Sequence, residues 1–189
     1  MASEPKILVF DLDETLVFAS MEESADVDFR LELMGQKVFL KLRPGAQEIV
    51  DFLRPRCDLR VWSTGQPIYV EAVCQLLKIA DRPWWGRDRC RRLDQMIAGH
   101  HEPYDKPLDW ICEDLSRIVI IDNSPGIFAC NPRNGLHIDS WRGDREDRQL
   151  DLLRGYLLWL LEQPDMRREH GEWSREALLR RNAEGLRLK

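Results

Sequence analysis

The apolar run Ile7-Leu8-Val9-Phe10 leads straight into Asp11-Leu12-Asp13-Glu14-Thr15-Leu16, so two carboxylates stand one residue apart at the end of what reads as a buried strand. A strand that stops at Asp-x-Asp presents one carboxylate and, past the intervening residue, a second close by, with main-chain carbonyls bending away between them. Such hard oxygen donors suit Mg²⁺, and a carboxylate held against a cation is a usable nucleophile toward phosphorus. The place matters as much as the residue types, because open α/β sheets bind their ligands at the carboxyl ends of parallel strands.

Three more polar clusters follow in order. Leu59-Arg60-Val61-Trp62 ends in Ser63-Thr64-Gly65, Lys106 stands in Tyr104-Asp105-Lys106-Pro107, and Ile118-Val119-Ile120-Ile121 ends in Asp122-Asn123-Ser124-Pro125. Together with Asp11-Leu12-Asp13 these resemble motifs I to IV of the haloacid dehalogenase superfamily of phosphohydrolases. The Asp-Asn pair narrows the resemblance. Most of that superfamily carries a second Asp in motif IV, whereas the small C-terminal-domain phosphatases (the FCP/SCP, NLI-interacting-factor-like family) use Asp-Asn. Leu42-Arg43-Pro44-Gly45, Asp51-Phe52-Leu53 and Val61-Trp62-Ser63-Thr64-Gly65 are also similar to that family's first helix and second strand. The resemblance runs from Lys6 to Gln163, and four motifs in order are far less open to chance than one.

The resemblance implies a Mg²⁺-dependent phosphoester hydrolase working through an aspartyl phosphate, most readily a protein serine/threonine phosphatase with a phosphoprotein or phosphopeptide substrate. Asp11 would be the nucleophile and Asp13 the acid and base. Ser63, or Thr64 beside it, would hold a phosphoryl oxygen, and Lys106 would balance its charge. Asp122 would orient Lys106 or a metal-bound water. Mg²⁺ would be held by the Asp11 side chain, the Asp13 main-chain carbonyl and Asn123. Arg43 has two readings, as a pin for the helix start or as a phosphate ligand, and Thr15 and Ser124 read as loop braces. Two other functions stay open: a phosphatase for nucleic-acid ends or small metabolites, and a non-catalytic phosphoprotein-binding scaffold.

Composition sets the bounds. The 189 residues suit one domain, and an apolar share of 43% with 32% charged residues describes an ordinary globule. The longest apolar run, Tyr156 to Leu161, is far too short to span a bilayer. The first six residues enter the first strand with no room for a signal peptide, so an intracellular, soluble protein is expected, with no membrane partner. The five cysteines lack metal or disulfide spacing and read as reduced thiols. Net charge is −5, yet the segment from Arg82 to Arg92 holds five arginines with Trp84 and Trp85. That patch suits an acidic or phosphorylated peptide better than bulk nucleic acid. Trp84 and Trp85 either pack beneath a loop or recognise peptide. Nothing in the sequence sets an oligomeric state.

Strands ending at motifs and alternating with helices predict an α/β fold with a doubly wound parallel sheet, the Rossmann-like core of that superfamily. Helices are predicted from Pro44 to near Pro55, from Ile68 to Leu77, from Asp109 to Leu115 and from Leu150 to Leu161, with a short strand at Leu136-His137-Ile138. Phe29 to Leu33 and Lys37 to Leu42 alternate around Met34-Gly35-Gln36 and read as a β-hairpin. The resemblance makes that hairpin a flap beside the aspartates, with no large cap domain and an open mouth. The domain is expected over residues 1–164, followed by a charged peripheral helix or tail over 165–189, packing through Trp173, Leu178 and Leu179. His100 and His101 read as loop residues rather than metal ligands.

Overall fold

Runs such as Ile118-Val119-Ile120-Ile121 are apolar on both faces, which suits strands covered on both sides, as those of parallel sheets are. The computed structural model describes residues 4–94, 103–168 and 170. In chain order it forms β1 (Ile7–Phe10), β2 (Val17–Ser20), β3 (Phe29–Leu33), β4 (Gln36–Leu42), α1 (Ala46–Leu53), β5 (Asp58–Trp62), α2 (Pro67–Leu76), β6 (Trp84–Trp85), β7 (Arg91–Arg92), β8 (Tyr104–Asp105), β9 (Ile118–Asp122), β10 (Gly135–His137) and α3 (Gln149–Leu161). His100, His101, Trp173, Leu178, Leu179 and most of the predicted tail lie outside the described residues.

The main sheet has the order β10-β9-β1-β5-β6 and every pairing in it is parallel. The chain builds outward from β1 to β5 and β6 on one side and to β9 and β10 on the other. The crevice between β1 and β9 is therefore the topological switch point, where such sheets bind ligands. Leu8 and Phe10 face the buried sides of α1, α2 and α3, together with Leu59, Val61, Val119 and Ile121. Ile7, Val9, Ile118 and Ile120 pack the opposite face with Trp62, Leu108 and Phe128.

That second face carries one departure from expectation. No helix forms over Asp109 to Leu115; two 3₁₀ turns stand there instead, Leu108–Trp110 and Leu115–Arg117. The Asp114 carboxylate accepts from the Ser116 N–H at 3.0 Å and its hydroxyl at 2.6 Å. Such local bonding competes with a continuing helix. The other predicted helices stand within two residues of their expected ends. Pro67 occupies the first turn of α2, where its missing N–H costs nothing.

The predicted hairpin is present as β3 and β4, closed by Met34 (φ 52°) and Gly35 (φ 76°). Two consecutive positive φ angles are the signature of a type I′ turn. Sequence reading missed β2, which pairs antiparallel with β4 and widens the hairpin into a three-stranded sheet. Among the described residues, no helix is long and apolar enough to cross a membrane.

Beyond α3 the chain is fastened back onto the domain. Met166 is fully buried and its N–H bonds to the Ser116 carbonyl at 2.8 Å, while Tyr156 Oη and His170 Nδ1 are 2.7 Å apart. Burial, helped by the nearby Arg168 charge, lowers the His170 pKa from 6.5 to about 4. Between those values the unfolded chain binds a proton that the folded protein does not, so stability should fall as pH drops from 6.5 toward 4. Chemical denaturation across that range checks this, with His170→Phe expected to flatten the slope.

Candidate active site

The ends of β1, β5, β8, β9 and β10 and the loops after β9 and β10 converge at the β1/β9 crevice. The Asp11 N–H continues the ladder by bonding to the Ile121 carbonyl at 3.0 Å, which fixes its backbone between β1 and β9. Lys106 follows β8 and is held by its own N–H on the Ile127 carbonyl. Its ammonium lies 2.7 Å from Asp11 Oδ1 and 2.7 Å from Asp122 Oδ2, and all three side chains are buried. The other Asp122 oxygen accepts the Ser124 N–H at 2.8 Å. Two carboxylates from neighbouring strands thus clamp one lysine whose position in the chain is distant from Asp11.

Asp13 stands across the cavity. Its Oδ1 accepts from the Tyr69 hydroxyl at 2.5 Å and its Oδ2 from Ser63 Oγ at 3.3 Å. Ser63 is fully buried, and its oxygen also accepts the Gly65 N–H at 2.9 Å. Thr64, rather than Ser63, lines the cavity. The cavity has a volume of about 460 Å³ and is walled by Asp11, Asp13, Glu14, Thr64, Lys106, Asp122, Asn123, the following loop from Ser124 to Ile127, and His137, Ser140 and Arg142. Asn123 is steadied by Thr15 Oγ1 on its Oδ1 at 3.4 Å and by its own Nδ2 donating to Ser140 Oγ at 2.8 Å. Thr15 therefore braces the loop, as expected.

Arg43 does not reach the cavity, and the phosphate-ligand reading is corrected. Its fully buried guanidinium forms a bidentate pair with Asp147 and donates to the Thr15 and Asp139 carbonyls. Those bonds tie the turn after β1 to the segment before α3, and they use the planar fork that only arginine offers. The Arg/Trp segment is also partly structural. Trp85 packs against Trp62 with ring centroids 5.8 Å apart, and Arg87 Nε donates to the Thr64 carbonyl at 2.6 Å. Arg91 pairs with Asp105 and Arg89 approaches Asp88 at 4.0 Å, and Arg89, Arg91 and Arg92 are all exposed. Among the described residues, none from β2, β3 or β4 walls the cavity, although β2 starts at Val17, which bridges to Asp13 and accepts the Glu14 N–H at 2.7 Å.

Charge accounts for the electrostatics. Burial pushes the Asp11 carboxyl up to about 8, opposed by Lys106 and reinforced by Asp122 and Asp13. Burial also disfavours the Lys106 ammonium, but Asp11 and Asp122 together outweigh it and raise its pKa. Asp11 lies close to the charges of both Asp122 and Asp13, with Lys106 bonded to Asp11 and Asp122, and a divalent cation would relieve that crowding of carboxyls. The donors fit Mg²⁺ in kind: a carboxylate from Asp11, an amide oxygen from Asn123 and the main-chain carbonyl of Asp13 are all hard oxygens. Among the described residues, no group of three or more His, Cys, Asp or Glu side chains is placed to hold a metal ion, so the amide oxygen of Asn123 and the main-chain carbonyl of Asp13 would have to complete the set with Asp11.

Comparison with known proteins agrees with this geometry. The family model of NLI interacting factor-like phosphatases matches residues 6–167. The chain belongs to that family. It is 31% identical over 149 residues to the human CTD small phosphatase-like protein, covering 77% of this chain and 52% of that one. Against the CTD nuclear envelope phosphatase 1 homolog of Drosophila melanogaster it is 34% identical over 159 residues, covering 77% and 63%. The chain thus spans between half and two thirds of the length of these curated relatives. Among solved structures, fission yeast RNA polymerase II CTD phosphatase Fcp1 bound to beryllium fluoride superposes with a TM-score of 0.54 at 19% identity, covering 95% of this chain and 49% of that one. At that identity the likeness shows the fold.

Within this NLI interacting factor-like phosphatase, sequence reading missed Tyr69, Glu14, His137, Ser140 and Arg142. Two of them had usable signals. His137 ends a strand, where ligand sites gather, and Tyr69 occupies the first turn of the helix that follows motif II. Arg142 gave none, since its approach to Glu14, with 3.3 Å between charged atoms, depends on a loop path.

Proposed function

We propose that this chain hydrolyses phosphate monoesters through an aspartyl phosphate on Asp11, with Mg²⁺ as cofactor and a phosphorylated serine or threonine of a protein as substrate. The observation that carries this reading is the clamp of Lys106 between Asp11 and Asp122 at the floor of a polar cavity, with a second carboxylate, Asp13, across from the first. An oxygen of Asp11 attacks phosphorus in line while the bond to the leaving oxygen breaks, and the Asp13 carboxyl proton passes to that oxygen. Asp13, now a carboxylate, takes a proton from water as the water oxygen attacks the phosphoryl group. Phosphate leaves and the Asp11 carboxylate is restored. Lys106 offsets charge on the phosphoryl oxygens throughout, and the hydroxyls at Ser63 and Thr64 are the neutral donors. Mg²⁺, held by Asp11, Asn123 and the Asp13 carbonyl, would supply further neutralisation of that charge and a fixed orientation for the phosphate.

Two observations support a protein substrate. Relatives 31% and 34% identical to this chain are named a CTD small phosphatase-like protein and a CTD nuclear envelope phosphatase 1 homolog, and the cavity wall between Thr64 and Arg142 carries no cap domain among the described residues. Hydrolysis of p-nitrophenyl phosphate and of phosphoserine and phosphothreonine peptides, each with Mg²⁺ and with EDTA, tests the reading. Turnover that requires Mg²⁺ is expected on all three. Cleavage of a terminal oligonucleotide phosphate with indifference to peptides would move the substrate to nucleic-acid ends, for which Arg89 and Arg92 are the candidate contacts. No turnover on any substrate would favour a phosphoprotein-binding scaffold.

A further inference from the structure

We propose that Tyr69 is a positioning residue for the proton transfer to the leaving group, and that Gly65 exists in its present form to admit the Tyr69 ring. The proposal rests on the phosphatase reading above.

The Asp13 carboxyl has two oxygens, and only one of them can face a leaving group. The Tyr69 hydroxyl donates to Oδ1 at 2.5 Å, a short bond, while Ser63 approaches Oδ2 at 3.3 Å, a long one. The tight bond fixes the plane of the carboxyl and commits Oδ1 as an acceptor. Proton delivery is assigned to Oδ2, the oxygen on the side of the longer Ser63 bond. Ser63, on its long bond, is free to turn its hydrogen toward an arriving phosphoryl oxygen without letting Asp13 swing.

The ring reaches Asp13 because residue 65 has no side chain. A Cβ at Gly65 would lie 2.8 Å from Tyr69 Cδ1 and 3.1 Å from Ser63 Oγ. It would press on both donors to Asp13 at once. The first turn of α2, started by Pro67, holds Tyr69 from the other side: its N–H bonds to the Gln66 carbonyl at 2.9 Å. Strand end, glycine and helix start thus form one short unit that aims a phenol at Asp13.

A positioning role for the acid has a signature that a structural role lacks. An alkoxide leaving from phosphoserine needs a proton as the bond breaks, whereas p-nitrophenolate leaves readily without one. The test is kcat for Tyr69→Phe and Gly65→Ala on a phosphoserine peptide and on p-nitrophenyl phosphate, in the intact chain with Mg²⁺, with Asp13→Asn as reference. For Tyr69→Phe the fall on the peptide should reach about 100-fold, the low end of what general acid catalysis supplies, and exceed the fall on the aryl ester by about tenfold. Gly65→Ala should shift the same ratio in the same direction. Equal losses on both substrates, or a change in KM alone, would overturn the proposal. An inactive wild type would instead strike at the phosphatase reading, and circular dichroism with thermal melting would identify a variant that failed to fold.

Discussion

Replacing Asp11 by Asn should abolish turnover while leaving the fold intact or slightly firmer. The side chain keeps its volume and its place at the end of β1, but an amide is no nucleophile toward phosphorus, and loss of a covalent nucleophile costs kcat at least about 10³-fold. Stability should move the other way, because Asp11 is a buried carboxyl facing Asp122 and Asp13. With its folded pKa raised from 3.8 to about 8, the folded protein holds a proton that the unfolded chain has already lost. The stability of metal-free protein should therefore decline as pH rises through that window, and Asp11→Asn should remove that part of the decline. Assay with p-nitrophenyl phosphate and urea denaturation at several pH values read the two effects separately. Full activity in Asp11→Asn would sink the aspartyl phosphate mechanism.

Lys106→Met should fail in both respects. The ammonium is buried with two carboxylates, each 2.7 Å away. Removing one side of a buried ion pair strands the other, typically at a cost of about 3–5 kcal/mol. Here two carboxylates are stranded, so metal-free Lys106→Met should unfold at markedly lower denaturant at neutral pH and recover partly in acid. Adding Asp122→Asn should restore much of the stability and none of the activity, since the pair are in contact and their effects cannot add. A single variant as stable as wild type at neutral pH would contradict the buried triad.

Much of this site was legible because its residues sit where strands end. Asp11, Asp13, Asp122 and Asn123 follow apolar runs, Ser63 follows the mixed strand Asp58–Trp62, and the ordered motifs carried Lys106 with them. The fold followed from the same runs, since apolar residues on both faces of β1 and β9 leave little choice but a covered parallel sheet. What stayed hidden depended on paths rather than patterns. Val17 to Ser20 directly follows the Asp-x-Asp turn, and its role as a third flap strand depends on β4 returning beside it. Asp109 to Leu115 reads as helical, yet the Asp114 carboxylate found a nearer partner in Ser116. Arg43 was ambiguous because an arginine before a proline has the same local text whether it meets a phosphate or, as here, a buried Asp147 from the far side of the domain.

The central place of β1 has a consequence for the way the molecule is made. Ile7 pairs with Asp58 on one side and Ile118 on the other, so the middle of the sheet is translated before either neighbour. At ribosomal speeds of about 5–20 residues per second, this apolar strand waits on the order of 5–20 s for the partner carrying Asp122. Closing such long loops is slow, and contacts of this range set folding times. The Asp11, Lys106 and Asp122 cluster can form only after the last of these pairings is in place. In refolding experiments, recovery of catalysis should therefore trail the recovery of helix signal, marking the moment when the sheet is complete.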